Sequence, residues 1–303
     1  MSSSLRKPKW LAKPLPKGAS YEATRRLLKK TSLHTVCQEA KCPNLWECFS
    51  RHTATFLILG DRCTRNCRFC AIQHGPLGPP DPLEPKRVAH AARKLGLHYV
   101  VVTSVTRDDL PDGGAHHFAQ TIQEIRRQIP KAKVEVLIPD FGGNDNALQT
   151  VLDAKPDILN HNIETVPRLY HTVRPGADYQ RSLTLLAKAK AYAPSIPVKT
   201  GIMLGLGETK EEVRQTLEDL RKSGCAILTI GQYLQPSRHH APVARYLPPE
   251  EFDEWKAIGH QMGFIDVFSG PFVRSSYHAE TLYRKVLGPS SRPSTSTLEV
   301  SHA

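Results

Sequence analysis

From residue 53 onward, short apolar runs alternate with longer amphipathic segments, and this alternation sets the predicted elements. Residues 53–59 (TATFLIL) read as a first strand, followed by a cysteine-bearing loop and a helix around 84–95. A second strand at 98–105 (HYVVVTSV) precedes a helix in which Phe118, Ile122, Ile125 and Ile129 recur at spacings of four, three and four, a single helical face. Further strands are predicted at 133–138, 157–163, 198–204 and 226–233, and further helices at 145–153, 179–193 and 249–262. The helix after 198–204 opens on Thr209 and Glu212, a capping-box pair, and Gly224 stands where a C-terminal cap glycine is expected. A short apolar segment at 264–268 ends the series.

Six βα units in a row imply a parallel sheet, and no dinucleotide-type GxGxxG follows the first strand. The expected fold class is therefore α/β, a partial (β/α)6 TIM-type barrel with an N-terminal cysteine-bearing extension and a short C-terminal extension, and functional groups belong at the C-terminal strand ends. The expected division is an extension at 1–52, the barrel at 53–270, a C-terminal segment at 271–288 and a tail at 289–303 whose Ser, Thr and Pro content is that of a disordered end.

Composition narrows the function classes. No apolar run approaches the roughly 18 residues that a membrane helix needs, so no membrane partner is expected. The first twenty residues are basic, contain Pro8, Pro14 and Pro16, and lack the apolar centre of a secretory signal, which predicts a cytoplasmic location. Lys plus Arg number 41 against 29 Asp plus Glu, a formal net charge of +12, so an acidic partner is expected. Nucleic acid and an acidic protein both answer to that charge, because the basic residues are scattered along the chain.

Cysteine supplies the chemistry. Six of the seven cysteines fall within residues 37–70, a clustering that in a chain without a secretion signal points to metal ligation. Cys63, Cys67 and Cys70 offer three thiolates from one loop, which suits a cubane iron–sulfur cluster with one iron free of protein ligands. Structural zinc is the alternative, but it takes four protein ligands, and apart from His74 no further candidate is spaced nearby. Cys37, Cys42 and Cys48, in HTVCQEAKCPNLWECF, form a second triplet, most economically a second cluster. Cys225 stands alone and reads as a small buried hydrophobe.

The Cys63–Cys67–Cys70 spacing, placed after the first strand with Phe69 before the last cysteine, resembles the radical S-adenosylmethionine enzymes. Together with the second triplet and the blocks TATFLILGDRCTRNCRFCAI, TSVTRDDLPDGGAHHF, HNIETVPRLYHTVRPGADY, GIMLGLGET, GQYLQPS and GPFVRSSYH, it makes the chain similar to the lipoyl synthase family from about residue 10 to 287. The resemblance implies insertion of two sulfur atoms, at C6 and C8 of an octanoyl chain amide-linked to a lysine of a carrier protein. It implies two 4Fe-4S clusters and two S-adenosylmethionine molecules cleaved per lipoyl group. Cys63, Cys67 and Cys70 would hold the cluster that binds and cleaves S-adenosylmethionine, and Cys37, Cys42 and Cys48 the auxiliary cluster that donates sulfur. In the family a serine of the RSSY motif completes the auxiliary cluster. The matching residues here are Arg274, Ser275, Ser276 and Tyr277; Ser276 is taken as the ligand with Ser275 as the alternative, since spacing does not distinguish them. A serine oxygen is a harder donor than thiolate and should release iron more readily when the cluster is opened. One departure from the family pattern is His52, where a glycine is usual.

Position along the strands suggests contacts to S-adenosylmethionine. Asp109, or Asp108, is expected to meet the methionine amino group, Asn162 and Glu164 the ribose, and Arg174 and Lys199 the carboxylate. The loop 201–208 would bring backbone close to the adenosine, and 232–237 would lie near the adenine. Implied partners are octanoylated acidic carriers, the E2 lipoyl domain of 2-oxo acid dehydrogenases and the glycine cleavage H protein, steered by Lys7, Lys9, Lys13, Lys17, Arg25, Arg26, Lys29 and Lys30. An electron donor such as flavodoxin or ferredoxin and an iron–sulfur cluster carrier are implied as well; nucleic acid is not. Two competing readings are a radical S-adenosylmethionine methylthiotransferase and a zinc-stabilised nucleic-acid-binding protein. The first would need a separate N-terminal domain where only 14 residues separate Cys48 from Cys63, and the second would need clustered basic and aromatic residues, whereas aromatics are 7% and dispersed.

Overall fold

Strands that are apolar on both faces require cover on both faces, and the aliphatic runs in this chain form such a parallel sheet. The computed structural model describes residues 5–13 and 19–287; Lys17 and the tail 289–303 lie outside the described residues. The N-terminal part carries helix α1 (Ala19–Lys30), strand β1 (His34–Thr35), and helices α2 (Val36–Glu39) and α3 (Leu45–Ser50). Strand β2 (Thr55–Ile58) begins the barrel, and the short pair β3 (Arg62–Cys63) and β4 (Gln73–His74) closes the base of the cysteine loop. The repeats continue with α4 (Glu84–Lys94), β5 (Tyr99–Ser104), α5 (Ala115–Gln128), β6 (Lys133–Leu137), α6 (Asp145–Asp153) and β7 (Ile158–Asn160). After them come α7 (Tyr170–Val173), α8 (Tyr179–Tyr192), β8 (Val198–Leu204), α9 (Lys210–Lys222) and β9 (Ile227–Gln232). Helix α10 (Pro249–Gln261), strand β10 (Asp266–Gly270) and helix α11 (Ala279–Leu287) complete the order.

The strands lie in the order β1-β2-β5-β6-β7-β8-β9-β10, so each strand from β2 to β9 runs parallel to its successor. Helices α4, α5, α6, α8 and α9 pack each against the next. This is the partial barrel expected, with its six βα units followed by β10, a seventh parallel strand drawn from the last apolar segment. The two-residue β1 pairs antiparallel with β2 and joins the N-terminal extension to the sheet edge. No helix among the described residues is long and apolar enough to cross a membrane.

Local signals are realised closely. The Thr209 hydroxyl accepts from the Glu212 N–H (3.2 Å) while the Glu212 carboxylate accepts from the Thr209 N–H (2.8 Å). Gly224 has φ +82°, the left-handed conformation that ends a helix. Strand β7 is shorter than the 157–163 expected, because the chain turns at Glu164 (φ +65°) and rejoins β8 only through a bridge to Ile202. His52 has φ +54°, where a side chain is strained and a glycine is not.

Candidate active site

The cysteine loop lies at the C-terminal end of β2, as a barrel site should. Its shape is held by Arg65, Arg68 and His240, which the sequence did not single out. Arg65 reaches across to the ends of β5 and β6, making paired hydrogen bonds to Asp108 (both 2.8 Å) and to Asp140 (2.6 and 2.9 Å). The Arg65 N–H points to Cys63 Sγ at 3.4 Å. The Arg68 N–H donates to the Val173 carbonyl (2.8 Å), and His240 Nε2 donates to the Cys70 carbonyl (3.0 Å). Three cysteines on one short loop are thereby fixed against the segments that follow β5, β6, β7 and β9.

The second triplet is built differently. Cys37 lies in α2, Cys42 in the connection and Cys48 in α3, and the segment 272–278 after β10 packs against them. Buried Asn44 donates to the Phe272 carbonyl (2.7 Å) and accepts from Lys13 (2.6 Å). Glu47, the neighbour of Cys48, accepts from the Tyr277 hydroxyl (2.9 Å to each oxygen) and from Lys13 (3.0 Å). At the other side Thr55 Oγ1 donates to Ser276 Oγ at 2.8 Å. Gly231 on β9 makes this approach possible: a Cβ there would collide with the Val273 carbonyl and stand 3.1 Å from the Arg274 guanidinium.

A cavity of about 560 Å³ takes in Cys37, Cys42, Cys48, Cys63, Cys67 and Cys70 together with Ser275 and Ser276. Both triplets and the serine pair therefore face one space. Asn162, Glu164 and Arg174 line it too, joined to one another: Asn162 Nδ2 donates to Glu164 (3.0 Å), and Arg174 donates to the Asn162 carbonyl (3.1 Å) and to the Tyr170 hydroxyl (3.0 Å). Gly201 keeps this corner open, since a Cβ would lie 2.9 Å from Asn162 Oδ1 and 2.6 Å from Thr229 Oγ1. Tyr233, Leu234, Gln235 and Pro236 reach the cavity from the segment expected near adenine, and His74 lines it as well.

The structure places other expected residues away from this corner. Asp109 is not in the cavity wall; its carboxylate is bound by the Arg107 guanidinium (both contacts 2.8 Å), which turns it away, and its alternative Asp108 is held by Arg65. Lys199 is fully buried inside the sheet, donating to Glu135 at 2.8 Å, because a strand side chain that faces a neighbouring carboxylate of the sheet cannot also reach the strand ends. Lys13, expected on a docking face, is occupied by Asn44 and Glu47. Arg25, Arg26, Lys29 and Lys30 are exposed on α1, which buries Thr24 and Leu28 instead, and Lys7 stands at the cavity wall. Cys225 is fully buried, as expected of a small hydrophobe.

The electrostatics fit a metal-bearing group. Burial and the Cys42 thiol push Cys37 up to about 12, and burial with the Cys67 and Cys63 thiols pushes Cys70 up to about 12. Burial pushes Cys67 up to about 11, against the pull of Arg174, and burial with Cys37 and Cys42 raises Cys48. Thiols crowded this way take the thiolate form only when a cation offsets their charge, as a bound iron does. Among the described residues no three His, Cys, Asp or Glu side chains converge to hold a single metal ion. A cubane presents a separate iron to each thiolate. Asn162 Oδ1 and Ser104 Oγ are buried in the cavity wall with no hydrogen-bond partner among the described residues, polar atoms that a bound cofactor would satisfy. Burial raises Glu164, opposed by Arg174, Asn162 and Arg274, and burial holds His161 down at about 4, so its imidazole is neutral.

Comparison with known proteins adds independent findings. A profile of the Radical SAM superfamily matches residues 57–220, and one for the N-terminal domain of lipoyl synthase of the Radical SAM family matches residues 1–42. The chain is 60% identical over 279 residues to a lipoyl synthase of Desulfotalea psychrophila, covering 92% of this chain and 93% of that one. It is 58% identical over 277 residues to a lipoyl synthase of Caldanaerobacter subterraneus subsp. tengcongensis, covering 91% and 97%. Among solved structures, Streptococcus suis SuiB bound to precursor peptide SuiA superposes with a TM-score of 0.56 at 10% identity, over 86% of this chain and 55% of that one. HydG, a maturase of the [FeFe]-hydrogenase, superposes with a TM-score of 0.54 at 15% identity, over 81% and 62%. At such identities these two likenesses speak for the fold alone.

Proposed function

This chain belongs to the lipoyl synthase family of the Radical SAM superfamily, and from that premise we propose how its residues divide the reaction. It is an enzyme, a sulfurtransferase that uses a 4Fe-4S cluster and S-adenosylmethionine to make a lipoyl group on a lipoyl-carrier substrate. Relatives of this identity support neither the methylthiotransferase nor the zinc-stabilised nucleic-acid binder.

In our assignment Cys63, Cys67 and Cys70 hold the cluster that works on S-adenosylmethionine, and Cys37, Cys42, Cys48 and Ser276 hold a second, auxiliary 4Fe-4S cluster. When bound, the first supplies the electron that breaks the sulfonium bond and the second supplies the sulfur for C6 and C8 of the octanoyl chain. The protein's own residues do the positioning. Arg65 fixes the first loop through Asp108 and Asp140. Asn162, Glu164 and Arg174 bind S-adenosylmethionine, with the guanidinium suited to its carboxylate and the free Asn162 oxygen to a donor on the ligand. Leu57, Leu137 and Met203 give the cavity apolar walls, which accommodate an alkyl chain and keep water from a reactive carbon. The segments 1–52 and 271–288 act in this reading as one unit against the 53–270 barrel.

The observation that carries the reading is the convergence of both triplets and Ser276 on one cavity, so that a single extended chain can meet both. Octanoylated E2 lipoyl domains and the glycine cleavage H protein are the proposed carriers, docking on exposed Lys9, Arg25, Arg26, Lys29 and Lys30 with Lys7 at the entrance. A flavodoxin or ferredoxin as electron donor and an iron–sulfur cluster carrier complete the proposal. The test is turnover of an octanoyl-carrier peptide with S-adenosylmethionine and a reductant, read by mass spectrometry for 5′-deoxyadenosine and for sulfur in the peptide. Replacing Cys37, Cys42 and Cys48 by alanine should leave 5′-deoxyadenosine formation and end sulfur insertion. Continued sulfur insertion in that variant would refute the assignment.

A further inference from the structure

We propose that Thr55 is a positioning residue for the auxiliary cluster, holding the ligand from the C-terminal segment against the barrel sheet. The inference rests on the reading of Ser276 as a ligand and goes beyond it to the group that sets where its oxygen stands.

Thr55 is the first residue of β2 and is buried, with 5% of its surface exposed. Its side chain shares the inward face of the strand with Leu57, and both line the cavity. The Thr55 hydroxyl donates to Ser276 Oγ at 2.8 Å, a contact spanning 221 positions of sequence. Cys37 follows β1, whose Thr35 pairs with Phe56, the neighbour of Thr55, and Cys37 and Thr55 line the same cavity. One residue of the barrel sheet thus touches the serine proposed to complete the cluster and stands beside the strand pair that leads to the first cysteine. Among the described residues Ser275 shows no hydrogen bond of this kind, which separates the two serines that the sequence left equal.

A hydroxyl offers one proton. In this geometry it goes to Ser276 Oγ. A serine that ligates iron carries negative charge on its oxygen, and a donor at 2.8 Å favours that charged form. The contact also limits where the oxygen can move, so a released serine stays near the iron position it left. Neither effect needs Thr55 to touch substrate or iron.

The experiment uses the full chain with Cys63, Cys67 and Cys70 changed to alanine, so that only the auxiliary cluster is present, and follows iron loss to a chelator by its visible absorbance. Thr55→Val keeps the side-chain shape and removes the donor. It should speed iron loss about tenfold, the worth of one charge-assisted hydrogen bond. Thr55→Ser, which restores the hydroxyl, should return the rate to that of the parent. Combined with Ser276→Ala, Thr55→Val should add nothing further, since its partner is already gone. If Ser276→Ala speeds iron loss while Thr55→Val leaves the parent rate, the role of Thr55 is wrong and Ser276 stands as ligand. Equal acceleration by Thr55→Val with and without Ser276 would show that it acts through the fold, again overturning the proposal. No effect of Ser276→Ala on rate or spectrum would remove the ligand reading itself and Thr55's role with it.

Discussion

The two cysteine triplets face one cavity but are assembled in opposite ways. The first is local: Cys63, Cys67 and Cys70 share one loop, and Arg65 within that loop ties it to Asp108 and Asp140. The second is assembled from distant parts of the chain. Cys37 and Cys48 sit on short helices, with Cys42 between them, whose connection to the barrel runs through β1, Asn44, Glu47 and a C-terminal segment more than 220 residues away. A local loop with charged clamps suits a cluster that must stay in place through every turnover. A site closed by contacts between chain ends can open without unfolding the barrel, which suits the proposed auxiliary cluster, one that would give up its atoms.

That contrast can be broken by experiment, beginning with the largest effects. Removing any of Cys63, Cys67 or Cys70 should abolish 5′-deoxyadenosine formation altogether, whereas removing Cys48 should abolish only sulfur insertion. Product analysis of the paired variants checks this, and identical phenotypes would end the division of labour. Asp140→Asn should destabilise the protein by about 3 kcal/mol in urea unfolding, because it leaves the Arg65 guanidinium buried without its full partner. Glu47→Gln, on the looser site, should cost about 1 kcal/mol in the same assay, since its carboxylate is partly solvated.

The clamp also predicts a pH dependence. Burial alone would raise Asp140, but the hydrogen bonds and charge of Arg65 and the Gly142 N–H hold it down at about 2. A carboxyl depressed in the folded state contributes stability above its ordinary value near 3.9, and that contribution is lost as pH falls from about 4 to 2. Roughly 2 kcal/mol should disappear over that window in the parent and be missing throughout in Asp140→Asn, as acid titration of the unfolding midpoint would reveal. At the cofactor corner between the two triplets, Arg174→Lys should raise the KM for S-adenosylmethionine about tenfold with a smaller change in kcat, as loss of paired hydrogen bonding would. The smallest effect is at the join of extension and barrel: His52→Gly should relieve left-handed strain and raise stability by about 1 kcal/mol, measured by thermal unfolding.

The same contrast explains what could be read from the chain. Helix α6 and strand β8 begin and end where periodicity predicted, and the Thr209–Glu212 box caps α9, because these elements are specified by neighbours a few residues apart. The Cys63–Cys70 loop was legible for the same reason. Strand β1 was not, since two residues carry no period and are ordered by pairing with β2; helix α11 was likewise passed over. The partners of Asp109 and Lys199 could not be read from the chain, because a charged residue near a strand end has the same sequence signature whether it faces a ligand, Arg107 or Glu135. Thr55 and Glu47 carried no signal of their own; only the folded contacts to Ser276 and Tyr277 set them apart.

The most direct test of the account is the iron and acid-labile sulfide content per chain after anaerobic reconstitution, measured in parallel for the parent and for variants lacking one triplet. Two cubanes predict about eight irons with matching sulfide in the parent and about four in either variant. About four irons in the parent, unchanged when Cys37, Cys42 and Cys48 are removed, would contradict the second cluster and with it the proposed source of sulfur.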